Sequence, residues 1–455
     1  MNSKTLKYFL SIILLIFIFS CDNDKLTEPN DKDDPVMPEY MVTTENIVMY
    51  EVNIRAFSNS GTFQGVIDRL DSIKALGINT IWLMPIHPIG VTNTVNSPYC
   101  VKNYTEINPE FGSFDDFTTL VTDAHEKGMS VIIDWVANHT AWDNPWISNK
   151  TWYTQDNNGN IIHPAGTNWQ DVADLNYSNQ EMRKAMIHSM KYWVENADID
   201  GFRCDAADFI PFDFWKQAID SLETLDRQLI LLAEGDHSDH FTAGFQMNYS
   251  WDFYNSLKNV FCDDYSAMTL FYTNNSEYNN IPAGKHKLRF TTNHDESAWD
   301  ETPMTLFNGK NGALAASVIT IYLGGVPLIY GSQEVGVTET ISFFEKDPIN
   351  WSLNPDMQKA YKEMLSLYNS SEAFRSGELT TYSNSNIVVF TRSNDEEEFL
   401  VMVNVRNSQW TLATPEALIN TTWQDAFTGE NIQLPASINL TAYEYLLYKV
   451  PGDSI

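Results

Sequence analysis

From residue 45 onward, short β-rich runs alternate with amphipathic stretches. Ile47–Ile54 (IVMYEVNI) reads as a strand. Val66, Leu70, Ile73 and Leu76 then recur at helical spacing, with Gly77 as a stop. Ile78–Ile86 is the second strand. Ser113 and Asp116 form a capping-box pattern before a helix bearing Phe117, Leu120, Val121 and Ala124, closed by Gly128. Ser130–Val136 is the third strand, and Gln180–Asn196 is an amphipathic helix. Further strands are expected at 201–206, 229–234, 245–250, 288–293 and 326–331. Eight strands with helices between most of them point to a parallel sheet. Over this length they favour a closed (β/α)₈ TIM barrel, an α/β fold. The competing open doubly wound sheet lacks the glycine-rich nucleotide loop that would open it.

Two regions depart from this rhythm. Residues 138–178 are rich in Asn, Trp and Pro and have no clear period. A loop this long in a compact fold is usually functional. From residue 372 the runs Ile387–Thr391, Glu398–Val405, Trp410–Ala413, Thr422–Asp425 and Tyr443–Val450 alternate or are β-branched. They predict a C-terminal antiparallel β-sandwich over 372–455, after a barrel over 40–371.

The N-terminus reads as an address. Lys4 and Lys7 precede an apolar run from Tyr8 to Phe19, too short to span a bilayer comfortably. Ile18-Phe19-Ser20-Cys21 resembles the lipobox of a bacterial lipoprotein signal, with Phe19 bulkier than is usual there. The resemblance implies a signal peptide over 1–20, cleavage before Cys21 and lipidation of its thiol. The alternative is an ordinary signal peptide with a chance cysteine. Residues 21–39 are polar, acidic and proline-containing, the composition of an unfolded tether. Acidic residues after the cysteine resemble the surface-export signals of some Gram-negative lipoproteins. The implied location is the cell envelope, at a membrane through the lipid, with the outer-membrane surface as one option.

Charge and cysteines narrow the partners. With 60 acidic against 28 basic residues the formal net charge is -32, which argues against nucleic acid and against binding anionic lipid by charge. A neutral ligand such as a sugar is compatible with it. At 43% hydrophobic and 13% aromatic, the 455 residues can bury a large core. Besides Cys21 only Cys100, Cys204 and Cys262 remain, with no CxxC pair. Free buried thiols are expected, one disulfide staying open as an option.

In a (β/α)₈ barrel the active site lies at the C-terminal ends of the strands. Strand three ends in Asp134, followed by Asn138 and His139. Strand four ends in Arg203 and Asp205, strand five in Glu234, and strand seven in Asn293-His294-Asp295. Four acids, two histidines and an arginine thus converge on one rim. Glycoside hydrolysis needs one carboxylate as nucleophile or base and another as proton donor. Strands four and five are neighbours, so Asp205 and Glu234 are expected to face each other across a bound sugar. Arg203 shares its strand face with Asp205 and keeps that carboxylate ionised. Cys204 points the other way and reads as a packing residue.

In order and spacing, DWVANH (134–139), GFRCDAAD (201–208), LLAEGD (231–236) and TTNHDE (291–296) resemble the four motifs of the α-amylase family of glycoside hydrolases, family 13. YEVNIRAF (50–57), PYCVKNYTEINPEFGSFDDF (98–117) and GGVPLIYGSQE (324–334) are also similar to that family. The resemblance covers about 40–450. It implies a retaining hydrolase of α-1,4-glucosidic bonds in starch-like α-glucans or maltooligosaccharides. Asp205 would be the nucleophile, Glu234 the acid/base and Asp295 the third carboxylate. Tyr99, His139, Arg203 and His294 would bind substrate, and Asp134 would be a structural acid. Residues 138–178 would form a short inserted domain B, with VADLN (172–176) as a fifth motif.

No cofactor is required for that chemistry. Asn138 matches a family calcium ligand, but Asp208 and Phe209 stand where many amylases carry Lys-His, which puts the usual calcium site in doubt. Trp142, Trp146, Trp152, Tyr153 and Trp169 are candidates for sugar stacking or for packing inside domain B. Within the same family, α-glucosidase, cyclomaltodextrinase and transglycosylase readings stay open. From another class, an inactive carbohydrate-binding surface lipoprotein is disfavoured, because all three acids are present. A metal-dependent barrel hydrolase is weaker still, for want of paired histidines at ligand spacing.

Overall fold

The computed structural model describes residues 37–279 and 281–451. Signal residues 1–20, Cys21 and most of the tether lie outside these. Eight parallel strands close into a barrel: β1 Met49–Val52, β2 Thr80–Leu83, β3 Ser130–Trp135, β4 Gly201–Cys204, β5 Ile230–Ala233, β6 Met247–Tyr249, β7 His286–Arg289 and β8 Val326–Tyr330. Each pairs with its sequence neighbour, and β1 pairs with β8 to complete the ring.

Strand alternation sorts the side chains into two cores. Tyr50, Val52, Ile81, Ile133 and Phe202 face outward and join the helices in one buried cluster. Met49, Trp82, Ile132, Leu232, Met247, Leu288 and Leu328 face inward and fill the barrel. Two residues further along the same inward face come Glu51, Asp134, Arg203 and Glu234. The barrel is therefore an apolar plug capped by a layer of ionisable groups, and strand period alone builds the site floor. Gly201 opens β4 at φ 152°, where a Cβ would sit 1.9 Å from the Ile230 carbonyl oxygen. Only glycine lets β4 and β5 approach that closely.

Local signals explain the helices. Ser113 and Asp116 cap Phe114–Glu126 reciprocally, as the sequence pattern predicts. The expected helix at 66–76 is two pieces, Phe63–Ile67 and Leu70–Leu76, the second stopped by Gly77 in the left-handed region. Strand seven ends earlier than 293. β8 meets it at Leu288 and Arg289 through Val326 and Pro327, and proline carries no N–H to extend the ladder. Asn293 instead caps the helix His294–Trp299, accepting from the Glu296 amide at 2.9 Å.

Residues 138–178 hold a small hairpin, His139–Ala141 against Val172–Asp174, with two short 3₁₀ turns. The C-terminal part is a six-stranded antiparallel sheet over 378–449, together with the two-stranded pair Trp410–Ala413 and Ser437–Leu440. Between them lies an apolar core of Val389, Leu400, Leu412, Trp423 and Leu440. Glu378–Tyr382, Asn431–Gln433 and Ser437–Leu440 are strands that alternation alone did not flag. Cys100, Cys204 and Cys262 are all free thiols, and Cys262 is exposed, not buried as expected, because it ends a helix at the surface.

Candidate active site

A cleft of about 660 Å³ opens over the C-terminal ends of the strands. Tyr99, His139, Asp205, Glu234, His294 and Asp295 all line it. Asp134 and Arg203 do not. Both are fully buried beneath it, so Arg203 lies behind the carboxylates instead of beside a sugar.

Arg203 organises the floor. Its Nη1 donates to Asp134 Oδ1 and Asp205 Oδ1, each at 2.9 Å. Its Nη2 lies 3.0 Å from Glu234 Oε2. Its Nε reaches the Tyr249 hydroxyl at 3.3 Å, and its plane packs over Trp82. One guanidinium thus holds both candidate catalytic carboxylates at fixed places. A second tie crosses the same gap. Ala206, in the left-handed region at φ 46°, points its amide at Glu234 Oε2, 2.7 Å away. A non-glycine residue in that conformation is strained, and here the strain falls between the two candidate catalytic residues.

On the opposite wall Tyr99 donates to Asp134 Oδ2 at 3.0 Å and meets His294 Nε2 at 2.6 Å. Asp295 Oδ2 lies 3.4 Å from the same nitrogen. Trp82 Nε1 also donates to Asp134, at 3.2 Å, so Asp134 is a buried hub for three donors. His139 lines the cleft beside Trp169, and burial pushes its imidazole down to about 4, keeping it neutral.

Glu51 is one site residue that the sequence reading missed. It sits on the inward face of β1, fully buried, with Oε1 2.5 Å from His294 Nδ1. Burial opposes a charged His294, but the Asp295 and Glu51 carboxylates outweigh it and raise the imidazole to about 9. Five carboxyls (Glu51, Asp134, Asp205, Glu234, Asp295) therefore surround two cations, Arg203 and His294. Such a set cannot be fully ionised without cost. Burial raises Asp205, with Arg203 pulling it back down. Burial and then the Asp205 charge raise Glu234, against Arg203. Burial carries Asp134 up to about 7 despite its bond to Arg203.

Glu51 acts as a positioning residue through His294. Glu51→Gln is expected to lower kcat roughly 10-fold or more, by analogy with the loss of a carboxylate behind a metal-bound histidine. With one raising carboxylate gone, His294 deprotonates at lower pH. NMR titration of the imidazole would then show its midpoint fall from about 9, with a new limb in the pH–rate profile. An unchanged midpoint would remove Glu51 from this role.

Asn138 does not gather a calcium cage. Its side-chain amide nitrogen faces His139 Nδ1 at 3.2 Å, and its backbone carbonyl accepts from the Leu175 amide. Calcium takes six to eight oxygens, and among the described residues no cluster of three or more acids or histidines forms there. No acid-rich cage therefore forms around Asn138 among the described residues. One cluster does form elsewhere: Asp208, His237 and His240. This corrects the expectation that no paired histidines stand at ligand spacing.

Of the domain B aromatics, Trp169 lines the cleft, against Phe209 and His139. Trp146 and Trp152 pack on each other and inward, and Tyr153 is buried. Trp251 and Trp299, at helix ends, and Phe343 and Phe344, in a late loop, also line the cleft.

The sequence profile described as "Alpha amylase, catalytic domain" matches residues 36–385. The chain belongs to the α-amylase family. Alpha-amylase 3 of Dictyoglomus thermophilum is 28% identical over 364 residues, covering 70% of this chain and 69% of that protein. Alpha-amylase MalA of Haloarcula japonica is 24% identical, covering 85% of this chain and 59% of its own length. Among solved structures, the noncanonic maltogenic α-amylase AmyB of Thermotoga neapolitana superposes with a TM-score of 0.80 at 26% identity, over 90% of this chain and 99% of that one. An α-amylase of Lactobacillus plantarum gives 0.80 at 27%, with the same coverage. This α-amylase family member is therefore a glycoside hydrolase of amylase type, and a binding-only protein of another class is set aside.

Proposed function

We propose that this α-amylase family enzyme hydrolyses α-1,4-glucosidic bonds of starch-like α-glucans through a covalent glycosyl-enzyme. The observation that carries this reading is the Arg203 clamp, which holds Asp205 and Glu234 in one cleft with Asp295 opposite. Asp205 attacks the anomeric carbon while Glu234 protonates the departing glycosidic oxygen. Water, deprotonated by Glu234, then releases the sugar and restores both groups. Asp295 and His294 hold the sugar hydroxyls, with Tyr99 stacking on the ring. His139 binds as a neutral donor. Arg203 acts through the carboxylates it clamps, and Asp134 holds the floor together. Trp169 and Phe209 offer apolar faces suited to further glucose rings.

The retaining reading requires the two carboxyls about 5–5.5 Å apart. It predicts that NMR of fresh products shows the α-anomer first. Initial β-anomer would mean inversion and a water between the groups. The product profile on starch, pullulan, cyclodextrin and maltotriose sorts the remaining choices. Mixed maltooligosaccharides from starch indicate endo attack. Glucose alone, or preference for cyclic or short substrates, moves the enzyme to the glucosidase or cyclomaltodextrinase branch, and longer products to transglycosylation.

The barrel over 40–371, with domain B at 138–178, carries the catalysis in this reading, and 372–455 forms a C-terminal sandwich whose inner sheet shares the barrel's main core. The lipobox-like run before Cys21 supports export and anchoring in the cell envelope. Metabolic labelling with a radioactive fatty acid is the test: label on the wild type but not on Cys21→Ala is expected, and an unlabelled wild type would refute the anchor.

A further inference from the structure

Asp208, His237 and His240 meet at the rim of the cleft, on the side of Glu234. Asp208 follows β4 and lines the cleft, whereas both histidines sit in the segment after β5. Asp208 Oδ1 lies 3.2 Å from His237 Nδ1 and 3.3 Å from His240 Nε2. These are long for hydrogen bonds between an ionised carboxylate and an imidazole, which close to about 2.7–2.9 Å when charge-assisted. They do match the ligand-to-ligand edge of a tetrahedral zinc site. Bonds of about 2.0–2.1 Å give edges of about 3.3 Å.

We propose that these three side chains bind a zinc-class divalent cation. Two imidazoles and one carboxylate suit zinc and its neighbours, and are a poor set for calcium, which wants six or more oxygens. Three protein ligands leave a fourth position open. His237 is the solvent-facing ligand, its side chain 59% exposed, so that position is open to water. His240 is buried, and its Nδ1 has no partner. Without an ion the Asp208 carboxylate favours the proton on Nε2; a bound cation would take its place, moving the proton to Nδ1.

The backbone prepares the carboxylate for this task. The amides of Asp236 and His237 point at Asp208 Oδ2 and Oδ1, at 3.3 and 3.4 Å. Gly235, at φ 147°, leaves the space in which a Cβ would come within 2.4 Å of the Asp208 carboxyl. A cation here ties the loop that follows Glu234 to the turn that follows Asp205. It would brace the cleft wall without taking part in bond breaking. The inference rests on this geometry alone and not on the roles given to Asp205 and Glu234.

The test is calorimetric titration of chelator-stripped protein with ZnCl₂, beside the same titration with CaCl₂, in wild type, His237→Ala and Asp295→Asn. His237 is exposed, so its replacement leaves the fold intact. Wild type is expected to bind one equivalent of zinc, with affinity lowered roughly 10–100-fold or more in His237→Ala and unchanged in Asp295→Asn. Co²⁺ in place of zinc is expected to give the intense visible absorption of a tetrahedral site, lost in His237→Ala. Equal zinc affinity in wild type and His237→Ala overturns the proposal. So does loss of binding in Asp295→Asn, which would put the ion on the catalytic acids. Calcium binding tighter than zinc also overturns it.

Discussion

Asp205→Asn is expected to lower starch hydrolysis by about 10⁴-fold or more, the scale seen when a covalent catalyst is removed, while the folded enzyme survives. The amide keeps the shape of the carboxyl but cannot form the glycosyl ester. Survival follows from the charge balance. Removing one partner of a buried ion pair usually costs about 3–5 kcal/mol because it strands a charge. Arg203 is not stranded here, because Asp134 and Glu234 still hold it at 2.9 and 3.0 Å. The substitution also removes one negative charge from a set of five carboxyls around two cations. Burial raises Asp205 above its ordinary range, so the native state holds that proton more tightly than the unfolded chain. Ionised Asp205 then costs stability, increasingly as pH rises through the window between its unfolded and folded values. Asparagine removes that cost. Thermal melts at neutral pH should therefore show a midpoint equal to or above wild type. A variant as active as wild type would mean the nucleophile lies elsewhere. Azide adds a direct check with Asp205→Gly and an activated glucoside. Azide entering the vacated space attacks the anomeric carbon in place of the carboxylate, yielding the β-glucosyl azide.

Most of the barrel and the exposed part of its site were legible in the chain because both depend on short-range rules. A strand's period of two puts Ile132 with Asp134 and Leu232 with Glu234 on one face, so an apolar floor and its acids are written in adjacent inward positions. The order of the motifs then names the rim. Glu51 obeys the same period yet escaped notice. It lies inside an apolar run, where one acid looks like a surface position, and its partner His294 is 243 residues away. The histidines were missed for a related reason. His237 and His240 are three apart, one in the turn and one in the short helix Asp239–Ala243 after β5, and the third ligand, Asp208, arrives only when β4 and β5 are laid side by side. Phe343 and Phe344 reach the cleft from a late, irregular loop whose path carries no periodic signal, and Trp299 from the end of a helix of only six residues, too short to show a period. The depth of Arg203 also lay beyond pattern. Alternation gives its face, but only the closed barrel shows that three carboxylates and Tyr249 cover it.

Glu234→Gln is expected to lower starch hydrolysis by about 10²–10⁴-fold, the range for loss of a positioned acid or base, and to change the pH profile in a way a structural defect would not. Starch has a poor leaving group, an alkoxide unless protonated, so the first step needs the Glu234 proton. Burial and the Asp205 charge raise Glu234 above the usual carboxylate range, with Arg203 opposing. That direction keeps the acid protonated to higher pH. Wild-type rate should fall as pH rises through this raised value, because the protonated fraction falls. Glutamine cannot titrate, so that alkaline limb should vanish with the proton. The loss should also depend on the substrate. An activated aryl maltoside leaves without protonation, so glycosylation by Asp205 proceeds and the glycosyl-enzyme accumulates for want of a base to activate water. Rapid-quench kinetics would then show a burst of aryl alcohol followed by slow turnover. A Glu234→Gln enzyme that lost starch and activated substrates equally, with its alkaline limb intact, would place the proton donor on another residue. Among the other carboxyls that line the cleft, Asp295 would be the first to test, since it stands 3.4 Å from the charged His294.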